Sequence, residues 1–121
     1  MPDQPIDAAA FAELLENVGG DREFLGELVG TYLADSPVQF TALRAAVAMG
    51  DAAAARRAAH SLKSTSASMG ARRLSAMCRE IEAACAAEQL AGLGAAIDEA
   101  AAEYASVEPA LGAALHGEET P

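Results

Sequence analysis

The sequence predicts an all-α chain, an antiparallel up-down four-helix bundle with a short additional helix at the N-terminus. Three observations carry this. Alanine dominates the composition, with leucine and glutamate behind it, and strand-forming residues are scarce; such a mixture favours helix because little side-chain freedom is lost on folding. Apolar residues recur at spacings of three and four, and no alternating stretch competes. Glycine followed by aspartate punctuates the pattern in "GGDREF" (19–24) and "MGDAAA" (49–54), a helix stop and then an N-cap.

Taken in order, Phe11, Leu14, Leu15 and Val18 form the short first helix. After Asp21, the stripe Leu25, Leu28, Val29, Tyr32 and Leu33 opens a long second helix, with Phe24 beside it, and Phe40, Leu43 and Val47 continue it. Pro37 lies inside, in "DSP", so a kink or brief break is expected there. Ala55, Ala58, Leu62 and Met69 mark the third helix, which Gly70 ends. Leu74, Met77, Cys78, Ile81 and Cys85 mark the fourth. Beyond the looser "EQLAGLG" break, Leu93, Ile97, Ala101, Tyr104 and Leu111 mark the last, with a second interruption expected near Pro109. Short turns make successive helices antiparallel neighbours.

The chain has 121 residues and 12.3 kDa, the length of one domain over 1–121 with its core in about 7–115. With no tryptophan, three phenylalanines and two tyrosines, there is little bulk to line a large ligand cavity. The formal net charge of -10 opposes non-specific nucleic-acid binding. There is no run of 18 apolar residues, and "MPDQPIDAAA" has neither the basic start nor the apolar core of a signal peptide. A cytoplasmic protein, off the membrane, is expected. The apolar stripes are consumed by intramolecular packing, which favours a monomer.

Cys78 and Cys85 stack about two turns apart on one helix, roughly 10 Å, too far for a disulfide. They read as buried free thiols. Metal or haem binding finds no support: no H-x-x-H, H-x-x-x-H or C-x-x-C pair is present, and His116 lies in the polar tail "HGEETP".

The chemistry-bearing stretch is "AAHSLKSTSASMG" (58–70). Projected at about 100° per residue from His60, Leu62 and Met69 fall near 180°, with Ala55 and Ala58 close by. That is the buried stripe, so His60 faces water. Arg56 and Ser64 lie one turn to either side, with Arg57 and Lys63 flanking them, and Ala53 and Ala67 continue the same low, small-residue surface. No acidic residue occurs between Asp51 and Glu80, and six of the eight basic residues (Arg56, Arg57, Lys63, Arg72, Arg73 and Arg79) stand there. Such a cationic window in an acidic chain suits an anionic transferred group or an acidic partner surface. It also favours the neutral, nucleophilic imidazole. A mid-helix position offers no free backbone N–H to hold a phosphate, so side chains must do so, Lys63 first.

The stretch "AAHSLKSTSASMGARRLSAMCREIEAA" resembles the core of a histidine phosphotransfer (HPt) domain, the intermediate carrier of multistep two-component phosphorelays. "LLENVGGDREFLGELVGTYLADSPVQFTALRAAVAMGDAAAARRAAHSLKS" is similar to the same family, so the likeness extends over about residues 11–115. "AHSLKS" with "MGARRL" is its most specific part. The resemblance implies that His60 accepts a phosphoryl group from a receiver-domain aspartyl phosphate and passes it reversibly to another receiver aspartate. It implies that Lys63 stabilises the phosphoryl group. The position after the lysine is usually glycine in the family and is Ser64 here. Some members orient the imidazole with a glutamine on the next helix; Glu82 occupies the comparable stretch. Response-regulator receiver domains, and a hybrid histidine kinase, are the implied partners, docking through Arg56, Arg57, Ser64, Ala67, Arg72 and Arg73. The chain itself needs no cofactor, since the divalent metal belongs to the receiver. There is no Gly-rich nucleotide loop, so ATP-dependent kinase activity is not expected. A non-catalytic helical adaptor that binds a receiver or kinase without carrying phosphate is the alternative.

Overall fold

The computed structural model describes residues 4–116. Five helices follow one another: α1 (Ala8–Asn17), α2 (Arg22–Ala48), α3 (Ala52–Ser68), α4 (Arg72–Ala86) and α5 (Leu93–Leu115). The last four form a ring in which each packs on its neighbours in sequence and α5 closes onto α2. The caps fall where the punctuation places them. Asp21 accepts the Phe24 N–H at 3.0 Å and Asp51 that of Ala54 at 3.0 Å, satisfying donors the first turn leaves open.

The core is built from leucine, isoleucine and alanine. Leu25, Leu43, Leu62, Leu74, Ile81, Ile97 and Leu111 are fully enclosed. On α3 the buried residues are Ala55, Ala58, Ala59, Leu62 and Ser66, a face of small side chains that lets α4 approach closely. The expected stripe is present, widened by Ala59 and Ser66. Both cysteines are buried and free; burial pushes the Cys78 thiol up to about 12, which leaves it unreactive.

No break occurs at Pro37, since α2 runs unbroken from Arg22 to Ala48, and α5 likewise passes through Pro109. Pro37 has no N–H for the Leu33 carbonyl one turn back. Tyr104 of α5 donates its hydroxyl to that carbonyl at 3.3 Å, so a tertiary contact supplies the missing donor. Tyr104 also stacks edgewise on Tyr32 and tilts against Phe40. Tyr32 in turn is bonded to buried Ser66 of α3 at 2.8 Å.

Short α1 is pinned to the α3–α4 turn. The Asp7 N–H donates to Gly70 O at 2.8 Å, the Asp7 carboxylate caps Ala9 and Ala10, and its second oxygen meets Arg72 Nε at 2.7 Å. Gly70 has φ of +83°, and a Cβ there would stand 3.2 Å from Asp7 O.

Gly70→Ala therefore combines left-handed strain with a steric push on α1, and we expect a loss of about 1–2 kcal/mol in urea unfolding. Tyr104→Phe is expected to cost about 1 kcal/mol. The cost should shrink in a Pro37→Ala background, where the substituted residue offers the Leu33 carbonyl a backbone N–H of its own. An unchanged cost in the double-mutant cycle would sever the link between the tyrosine and the proline.

Candidate functional site

The Gly70 turn folds α4 back along α3. Counting outward from it, His60 is ten residues before and Glu82 twelve after, so the hairpin brings them level. His60 Nδ1 lies 3.0 Å from Glu82 Oε2, and Lys63 Nζ lies 2.7 Å from Glu82 Oε1. One carboxylate thus bridges the imidazole and the ammonium. Ser75 of α4 adds a bond to the Lys63 carbonyl at 2.9 Å, fastening α4 to this turn of α3.

Exposure is graded across the three groups. The His60 side chain is 59% exposed, Lys63 29% and Glu82 only 14%. Glu82 is therefore the sheltered anchor and His60 the presented group. The Lys63 ammonium bonded to Glu82 holds its carboxyl below the usual range, against the upward push of partial burial, and His60 adds a smaller downward pull. An ionised carboxylate only accepts, so Nδ1 of a neutral imidazole carries the hydrogen and Nε2 keeps its lone pair. Among the described residues, Nε2 has no hydrogen-bond partner.

The other residues marked out by the sequence divide. Arg56, Arg57, Ser64 and Ala67 are exposed on α3, as the projection predicts. Arg72 is exposed but bound to Asp7 beside α1. Arg73 is turned towards α5, where it meets Glu103 at 3.8 Å, on the flank of α4 away from α3; its place in the basic window did not reveal this. Of the eight basic residues, five have internal partners: Arg22 on Leu115 O, Arg44 on Asp98, Lys63, Arg72 and Arg73. Arg56, Arg57 and Arg79 form no ion pair among the described residues. Arg79 precedes Glu82 by one turn on the exposed side of α4.

On the flank of α3 opposite α4 is a shallow groove of about 260 Å³ lined by Leu28, Tyr32, Ser61, Thr65, Ser68 and Met69. It is too small and open to enclose a large ligand. His60 stands on the ridge between this groove and α4.

The model of the Hpt domain family matches residues 27–115. The chain belongs to the Hpt family. A solved structure, histidine-containing phosphotransfer protein B (HptB) from Pseudomonas aeruginosa, is similar with a TM-score of 0.85 and 29% identity, over 97% of this chain and 99% of that chain. No curated protein sequence matches significantly. The expected fold class is borne out, and the Hpt domain is a histidine phosphotransfer relay intermediate, of a kind that works with receiver domains and kinases. No helix among the described residues is long and apolar enough to cross a membrane.

What sequence reasoning missed in this Hpt domain is the Lys63–Glu82 pair and the freedom of Arg79. The signal for the first was available in the antiparallel register about Gly70.

The depressed Glu82 titration sets the sign of a pH dependence. A carboxyl held lower in the folded state than in the unfolded chain stabilises the fold at neutral pH, and that stability is lost as pH falls through its folded value. The stability gap between the wild type and Glu82→Gln, measured by urea unfolding, should be present at pH 7 and close in acid; a gap independent of pH would remove the ionic contribution.

Proposed function

We propose that His60 is the phosphorylated residue of this relay intermediate and that Nε2 is the attacking atom. The observation that carries the reading is the Nδ1–Glu82 bond at 3.0 Å, which fixes the ring and leaves the lone pair on the exposed side. On an exposed helix face, a second protein can bring a phosphorus atom in line with that lone pair. As the N–P bond forms, the O–P bond to the donor aspartate breaks and the electron pair leaves on the carboxylate. Transfer onwards is the reverse, onto another receiver aspartate. Catalysis here is chiefly positioning and charge.

Lys63 lies one turn from His60, and its ammonium is the cation for the phosphoryl oxygens; such charge-assisted bonds are the stronger kind. Glu82 orients the imidazole in place of the family's glutamine. Ser64 replaces the usual glycine with a side chain still short enough for close approach. Docking uses the exposed faces of α3 and α4 around His60, with Arg56, Arg57, Ser64 and Ala67 at its centre, Arg72 at its edge, and Arg79 added by its position. Arg73 is directed elsewhere and its docking role is the weakest of the set. The protein works as a cytoplasmic monomer whose partners supply the divalent metal.

Incubation with a phosphorylated receiver, followed by mapping of the label, tests the assignment. We expect acid-labile, base-stable label on His60, none on His60→Gln, and transfer slowed by about 10- to 100-fold in Lys63→Ala with the helical content unchanged, as loss of a charge-assisted contact implies. Label retained on His60→Gln overturns the site. A protein that binds the receiver and takes no label is the adaptor instead.

A further inference from the structure

Lys63 is not idle in this structure: its ammonium is committed to Glu82 at 2.7 Å before any phosphate arrives. Glu82 therefore makes two contacts that a phosphoryl group on His60 would affect oppositely. We propose that phosphorylation moves Lys63 from Glu82 to the phosphoryl group while Glu82 keeps its bond to Nδ1, so that the phosphohistidine is held as its imidazolium and discharges readily. This rests on His60 being the phosphorylated residue and adds what Glu82 does to the product.

In the resting ring the hydrogen is on Nδ1 and the lone pair on Nε2. When Nε2 takes a phosphoryl group, the ring gains a positive charge unless Nδ1 sheds its hydrogen. A carboxylate at 3.0 Å favours retention. In the next transfer the acceptor oxygen attacks phosphorus, the N–P bond breaks, and its electron pair returns to Nε2. The leaving group is then a neutral imidazole with Nδ1–H already in place. A phosphohistidine that had lost the hydrogen would have to expel an anionic imidazolate, a far poorer leaving group. Glu82 acts through His60 and is a positioning residue; it does not touch the transferred group.

The charges around the ring are accounted for. Arg56, Arg57 and Lys63 of α3 and Arg79 of α4 are the nearby cations, and each disfavours the imidazolium. Glu82 is the acid in contact with His60. Asp35 of α2 lines the groove on the far flank of α3, while Asp98 and Glu103 of α5 are turned to Arg44 and Arg73. The carboxylate in direct contact is thus the group that offsets this cationic setting.

The test uses the full chain and phosphoramidate, a small phosphoryl donor from which ammonia leaves. Phosphorus and nitrogen NMR follow the phosphohistidine in the wild type, Glu82→Gln and Lys63→Met, with helical content checked for each. The amide of Glu82→Gln can still accept from Nδ1–H but lacks the charge. We expect the pH midpoint of the phosphorylated ring to fall by about one unit in Glu82→Gln, as loss of a contacting opposite charge implies. Above the midpoint this makes the discharging form about tenfold scarcer and the phosphohistidine correspondingly longer-lived. In Lys63→Met the midpoint should rise, because a cation is removed and the carboxylate remains. Equal midpoints and lifetimes in the wild type and Glu82→Gln overturn the proposal while leaving His60 as the site. Failure of the wild type to take label on His60 overturns both.

Discussion

The close approach of α3 and α4 is the constraint on which the rest depends. A glutamate reaches only a few ångströms from its backbone, and here one side chain must touch groups on two turns of the facing helix. Ala55, Ala58 and Ala59 keep the α3 face thin, and the left-handed Gly70 turn fixes the register. With a bulkier face or a shifted turn, Glu82 would be a half-sheltered charge with no partner, which is costly. The ion pair and the packing therefore specify each other. Lys63 makes the sheltered carboxylate tolerable, and the carboxylate in turn orders an imidazole that would otherwise rotate freely in water.

The other helices hold this hairpin still. Ser66 ties the last turn of α3 to Tyr32 of α2, and Tyr104 of α5 ties onto the Leu33 carbonyl. These contacts place hydroxyls against polar atoms that would otherwise be left unsatisfied, at points where helices meet. At one end, α1 and Asp7 grip the α3–α4 turn. Polar bonds from α2, from α4 and from the Asp7 segment thus reach α3 and its turn, and α3 is the helix that presents its histidine outward. A mid-helix residue gains no backbone donors, so its surroundings are made of side chains from two rigid elements. Sites built this way are more sharply defined than sites on loops.

The direction of His60 was legible because helical projection needs only local spacing, and the apolar residues at Ala55, Ala58, Leu62 and Met69 define a clear inside. Caps were legible for the same reason. Three features were not. Pro37 looks like an interruption in sequence because the residue that rescues its helix, Tyr104, is 67 positions away. The Lys63–Glu82 pair depends on how two helices register, which periodicity within each does not determine. Arg73 belongs to the basic window by position, yet which flank of α4 it occupies is decided by the packing of α5. In each case the missing information is a relation between helices. Composition located the cations; only the fold says which of them are already spoken for.

That last distinction changes the electrostatic picture. A net charge of -10 over so small a surface repels acidic partners in general. Half of the basic residues do little to relieve this at a distance, because Arg44, Lys63, Arg72 and Arg73 are each paired with a carboxylate. Of the four cations with no ion pair among the described residues, Arg22 is bonded to the Leu115 carbonyl at the start of α2, and Arg56, Arg57 and Arg79 lie within about a turn of His60 or of the glutamate that holds it. Exposed acids such as Glu13, Glu16, Glu23, Glu27 and Asp35 occupy α1 and α2 instead. An approaching acidic rim is therefore repelled by one side of the bundle and attracted at the ridge that carries the imidazole. Contrast of this kind orients encounter more than it strengthens binding, and it fades as salt shortens the reach of exposed charges to about 8–10 Å. For a carrier that must meet one partner, part from it and meet another, orientation without tight retention is the useful property.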